Sequence, residues 1–167
     1  MSFDVEHQVP QQGYGQYLAT TCWYASFRML YAWKGEDESQ IGPSLAKAKL
    51  DLQQLRQRGL YPDEFPTARG ALGLVGWSGR WLEQQDDGMW AHLLKGYGPL
   101  WIATEWRGES GAGHAVVIVG YKAKTGVFRV HNPYNRFEPG TVELEYLTGD
   151  KLREWVIKER CALMAWP

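Results

Sequence analysis

His114-Ala115-Val116-Val117-Ile118-Val119-Gly120-Tyr121, followed after a Gly-bearing turn by Val127-Phe128-Arg129-Val130-His131-Asn132, decides the fold. The first run is dense in β-branched residues and the second alternates apolar with polar side chains, the patterns of a buried and a half-buried strand. A short turn joins them, so they are read as antiparallel neighbours. Downstream, Val142 to Tyr146 alternates again, and upstream Leu100 to Trp106 reads as a strand after the turn Gly96-Tyr97-Gly98-Pro99.

Earlier in the chain the period changes. Between Thr21 and Lys34 the apolar residues Trp23, Phe27, Leu30 and Met29, Trp33 recur at three and four residues, which predicts a helix with Thr20 or Thr21 as cap and Gly35 as stop. Gly42-Pro43-Ser44 opens a second predicted helix, with Leu45, Ala48, Leu52 and Leu55 on one face and Gly59 at its end. Asp86-Asp87-Gly88 starts another, running to about Lys95. Between these, residues 61–81 carry Pro62, Pro66, Gly70, Gly73, Gly76 and Gly79, which predicts short helical turns and loops rather than any long element, and residues up to Thr20 read as an extended, ordered arm or loop. Helices first and an antiparallel sheet after them is the α+β pattern.

Length and charge narrow the function. One hundred and sixty-seven residues with 44% hydrophobic content suit one domain, residues 1–167, with its own core. Eighteen basic against 19 acidic residues leave no basic excess for phosphates, so no nucleic-acid partner is expected. The longest apolar runs fall far short of a bilayer span and the N-terminus has no basic region followed by an apolar stretch, so no membrane partner is expected either. Nine Trp and nine Tyr supply either a core of large side chains or a stacking surface. Two cysteines exclude a disulfide-dense scaffold and leave a thiol free for chemistry.

Cys22 falls at the predicted start of the first helix, where unpaired N–H groups and the macrodipole favour a thiolate. A nucleophile there requires a base, and His114, opening an apolar strand after Gly111-Ala112-Gly113, can be one. The base requires an orienting group on its second nitrogen, and Asn132 ends the next strand, although Asn132-Pro133 also starts a turn. The oxyanion requires a donor beside the Cys22 amide. Gln16 fits, with Gln8, Gln11 and Gln12 as competitors. His131 should point to the opposite sheet face, and Cys161, in the apolar segment ending at Trp166, should be a buried and inert thiol. His7 and His92 lack partners in sequence. No metal-site spacing is present, and the glycines at 70, 73, 76 and 79 lack the Gly-Lys-Ser/Thr of a phosphate loop, so no cofactor is expected.

Taken in order, Val9-Pro10-Gln11 leading to Gln16, Thr21-Cys22-Trp23-Tyr24-Ala25-Ser26, Gly98-Pro99-Leu100-Trp101, Gly113-His114-Ala115-Val116 and His131-Asn132-Pro133 resemble the papain-like cysteine peptidases. The resemblance is to their compact bacterial branch, with its secreted effector proteases of the avirulence-protein type, and more distantly to the bacteriocin-leader peptidases. It implies a papain-like fold in which an N-terminal helical part carrying the nucleophile packs on a C-terminal antiparallel sheet. It also implies Cys22 as nucleophile, His114 as base and then acid, Asn132 as orienter, Gln16 as oxyanion donor, and a protein substrate. In that branch the third position is often Asp, so Asn132 departs from it. The same triad would serve a peptidoglycan amidase or a glutamine deamidase, and a non-catalytic binding module would keep Cys22 as a core thiol. The resemblance further implies a bacterial toxin or effector, moved by a dedicated non-Sec system into a target cell and restrained in its producer by a cognate immunity protein.

Overall fold

The structure, a computed structural model, describes residues 3–108 and 113–167. In chain order the elements are β1 (Val5–Glu6), α1 (Cys22–Lys34), α2 (Ile41–Lys47), α3 (Leu52–Arg58), α4 (Phe65–Leu72), β2 (Val75–Trp77), α5 (Gly79–Leu82), α6 (Asp87–Tyr97) and β3 (Leu100–Glu105). They continue with β4 (Gly113–Lys122), β5 (Val127–Asn132), β6 (Glu143–Thr148), α7 (Gly149–Trp155) and β7 (Leu163–Ala165). The strands form one antiparallel sheet in the order β2-β7-β3-β4-β5-β6, with β1 pairing on β4. The β-branched run is its middle strand, as its composition requires.

Alternation along the strands sorts the core onto two faces. Trp101, Ala103, Ala115, Val117, Val119 and Met164 pack with residues of α1 to α4. Leu100, Ile102, Val116, Ile118, Phe128 and Val130 pack on the other face with Leu82, Trp90, Leu94 and Leu152. Helix α1 lies against β3 and β4, held by Phe27 stacked on Trp101 at 4.8 Å and by the Trp101 indole N–H donating to Trp23 O at 3.2 Å. Gly35 ends it in the left-handed region, φ 79°, donating its N–H to Ala32 O, the stop its sequence position predicts. Burial of Trp23, Trp90 and Trp101 answers part of the aromatic excess, while Tyr17, Tyr61, Tyr134 and Phe137 stay exposed.

Two expectations are corrected, for the second helix and for Cys161. The second helix is two, because the chain turns through Lys49 at φ 65° and Asp51 starts α3 afresh, its carboxylate accepting from Gln54 N. Leu45 and Leu55 are both fully buried, so one apolar face fits two short helices as well as one long one. Residues 61–81 form short helical elements, as expected, with Pro66 in the first turn of α4 and Gly73, φ 70°, at its end, and the short strand β2 follows as the sheet edge. The apolar C-terminal segment inserts as β7 between β2 and β3, and Cys161 beside it is half-buried rather than buried, at φ 56°.

Candidate active site

Cys22 is the first residue of α1, and that helix end is left without a side-chain cap. Neither expected threonine caps it: Thr20 Oγ1 donates to Arg56 O and Thr21 Oγ1 donates to Leu18 O at 3.0 Å. Neither threonine hydroxyl therefore competes for the opening N–H groups, which face the Cys22 sulfur. On the sheet side the Ala115 N–H points at Cys22 Sγ, 3.4 Å away. Burial pushes the Cys22 thiol above its ordinary value, against the amides of Ala115, Trp23 and Cys22 itself, which favour the thiolate. The helix end acts in the expected direction and desolvation outweighs it.

His114, second residue of β4, is fixed at both ends. Its carbonyl accepts from Thr104 Oγ1 at 2.9 Å, and its ring Nε2 lies 2.7 Å from Asn132 Oδ1. The two side chains meet because β4 and β5 are antiparallel neighbours and His114 shares a face with Val116, Val130 and Asn132. Trp106 packs edge-on against the imidazole at 5.5 Å and is itself backed by Trp155. Burial pulls the His114 pKa below its ordinary value, the Asn132 bond raises it, and the Arg107 charge adds to the lowering. With Nε2 taken by Asn132, Nδ1 is the nitrogen left for the sulfur. Gly113 is in β4, and Gly111 and Ala112 of the small-residue stretch before His114 lie outside the described residues.

Gln16 reaches the site through its loop. Its N–H donates to Pro133 O at 2.8 Å, directly after Asn132, and Gly15 N–H donates to Gly140 O at 3.0 Å. A Cβ on Gly15 would stand 2.7 Å from the Gly140 carbonyl carbon, so only glycine permits this approach. The Gln16 Nε2 donates to Leu18 O at 2.9 Å and to Ala19 O at 3.4 Å, and its Oε1 is buried with no partner among the described residues. Of Gln8, Gln11, Gln12 and Gln16, the last lines a cavity with His114 and Asn132.

Two cavities meet at His114. One, of about 470 Å³, is lined by Cys22 and His114 over an apolar floor of Trp23, Leu60, Phe65 and Trp101. The other, of about 480 Å³, holds Gln16, Asn132, Trp106, Tyr134 and Phe137. Together they form a trough with the sulfur on one side of the imidazole and the orienting amide on the other. A thiol, an imidazole with one nitrogen engaged, and uncapped amides in this arrangement suit attack on a carbonyl. Among the described residues no group of three His, Cys, Asp or Glu could hold a metal, and no helix is long and apolar enough to cross a membrane.

His131 turns to the opposite face, opposite Val117, and does not join the site. His7 Nε2 bonds Leu94 O at 2.8 Å, far from it in the fold. Sequence reasoning missed Glu145, whose Oε2 accepts from Asn132 Nδ2 at 2.6 Å, together with Thr104 and Trp106. The alternation of β6 marks Glu145 as facing one side, and nothing in the sequence sets which residue it faces.

The chain matches, over residues 3–142, the family described as papain-like cysteine protease AvrRpt2. Among solved structures it is similar to a double-glycine-motif protease from an AMS/PCAT transporter in complex with its leader peptide. That likeness has a TM-score of 0.52 at 15% identity, covering 97% of this chain and 95% of that one. No curated protein matches it in sequence.

Proposed function

From the premise that the chain belongs to the AvrRpt2 family of papain-like cysteine proteases, we propose that Cys22, His114, Asn132 and Gln16 carry its hydrolysis of peptide bonds in a target protein. The observation that carries this reading is one trough in which Cys22 and His114 line a common cavity while His114 Nε2 is held 2.7 Å from Asn132. Burial disfavours charge on both groups, raising the Cys22 pKa and lowering that of His114. Cys22 Sγ attacks the carbonyl carbon and its proton passes to His114 Nδ1. The oxyanion takes the Cys22 N–H and the Gln16 amide, which exchanges its longer bond, 3.4 Å to Ala19 O, for it. The C–N bond then breaks and the imidazolium gives its proton to the leaving amine. Water attacks the thioester, its proton passing to His114 and on to the departing sulfur.

On this reading the acyl part of the substrate lies over the cavity holding Cys22, and the leaving amine lies toward Asn132 and Trp106. The biological role proposed to accompany it is that of a translocated bacterial effector, with a protein in the producing cell covering the Cys22 cavity. The test is mass spectrometry of target-cell extract treated with wild type and with Cys22→Ala. New protein termini are expected with wild type alone, and adding the covering protein should suppress them. Termini that persist with Cys22→Ala would end the reading.

A further inference from the structure

Asn132 is 2% exposed and every polar atom of its side chain is used. Its Oδ1 faces His114 Nε2 at 2.7 Å and accepts the Tyr134 N–H at 3.0 Å, while its Nδ2 donates to Glu145 Oε2 at 2.6 Å. Register explains the last bond: Asn132 pairs with Glu143 and Val130 with Glu145, so Glu145 is the same-face diagonal neighbour of Asn132. The other carboxylate oxygen lies 3.8 Å from Arg107 Nη2. A backbone N–H only donates and a carboxylate only accepts. A half-turn of the Asn132 amide would therefore set donor against donor at Tyr134 and acceptor against acceptor at Glu145.

We propose that Glu145 is a positioning residue that locks the Asn132 amide with its oxygen toward His114, and so sets the imidazole tautomer. With Oδ1 fixed as an acceptor, Nε2 must carry the ring hydrogen, which leaves the lone pair of the neutral imidazole on Nδ1, the nitrogen available to Cys22. The carboxylate also polarises the amide from behind, so an imidazolium formed in the reaction meets an oxygen richer in charge than an isolated amide offers. Asn132 and Glu145 together thus supply what a carboxylate placed directly on the imidazole would supply, one amide removed. The inference rests on the peptidase reading for its consequence in turnover, and on hydrogen-bond geometry alone for the tautomer.

The experiment combines Glu145→Gln, Glu145→Ala, Asn132→Asp and the double variant Asn132→Asp with Glu145→Gln, each read by kcat, KM and the imidazole 15N shifts of His114. Glu145→Gln, which keeps size and loses charge, is expected to lower kcat about tenfold with KM unchanged, the scale found for an outer partner that orients a histidine. Asn132→Asp alone sets two carboxyl groups against each other and should lose more. The double variant, in which the new glutamine donates to the new aspartate, should regain most of that loss. The shifts should show hydrogen on Nε2 in wild type and mixed tautomers in Glu145→Ala. An unchanged tautomer in Glu145→Ala, or a double variant no better than Asn132→Asp, overturns the proposal. A wild type that cleaves nothing, with the tautomer still dependent on Glu145, would instead overturn the peptidase reading and support the positioning role.

Discussion

His114 and His131 sit on neighbouring strands, both open or close an apolar run, and both are pushed toward the neutral ring by burial, yet on the proposed reading only His114 reacts. His114 shares its sheet face with Asn132, so one nitrogen is engaged, the ring plane is set and the other nitrogen borders the Cys22 cavity. His131 lies opposite Val117 on the face beneath α1, 2% exposed, with Nδ1 bonded to nothing among the described residues. Its pKa falls to about 4, through burial first and the Arg129 charge second. Burial by itself yields an inert ring. An acceptor on one nitrogen gives direction to the other and restores some affinity for a proton, which a general base must have.

The sharpest break of this comparison is a pair of substitutions. His114→Ala should lower kcat by about 10⁴-fold or more, the scale of losing the base from a catalytic triad, while His131→Leu should leave kcat near wild type. Comparable losses in the two variants, measured by steady-state turnover of a cleaved peptide, would show that His131 takes part. The next effect belongs to the sulfur side of the trough, where geometry is held by backbone amides. Gln16→Ala should cost about 10²-fold in kcat with little change in KM, as expected for one donor to an oxyanion. A change confined to KM would place Gln16 in ground-state binding instead.

How far the sequence could be read follows from which interactions are local. Cys22 at a helix start and His114 at the head of a β-branched run are local features, and the α+β order of elements follows from periods of three to four and of two. The pairing of His114 with Asn132 needs only a short turn between adjacent strands, so it too is legible. Glu145 is not, because its place opposite Val130 depends on the path of the loop between β5 and β6, which has no period. The break between α2 and α3 is hidden since Leu45, Leu52 and Leu55 satisfy a single apolar stripe, and it takes a left-handed residue, Lys49, to reveal it. The seat of β7 between β2 and β3 is set by packing between ends of the chain far apart in sequence. A helix start favours the Cys22 thiolate locally, whereas the burial that opposes it depends on the whole cavity.

The smallest effect sharpens the comparison through stability rather than turnover. In the folded chain His131 takes up its proton only near pH 4, whereas in the unfolded chain it does so near the ordinary value of 6.5. Between these limits the unfolded state binds more protons, so this group makes stability rise with pH from about 4 to 6.5 and adds nothing further above. The full span corresponds to about 3 kcal/mol. Carboxyl groups with lowered pKa values, Glu64 beside Arg58 and Asp37 beside Ser39, also lose stability in acid, but they do so equally in wild type and His131→Leu and cancel in the difference. Urea unfolding at pH 7.5 and 4.5 should therefore show the variant losing less stability on acidification, by 1 to 3 kcal/mol at the scale of this shift. The variant also removes a buried nitrogen that has no partner among the described residues, which favours it at both pH values and leaves the pH-dependent difference unaffected. Parallel losses in the two proteins would mean that the His131 ring titrates as an exposed one, and the contrast with His114 would then rest on the Asn132 bond without any help from burial.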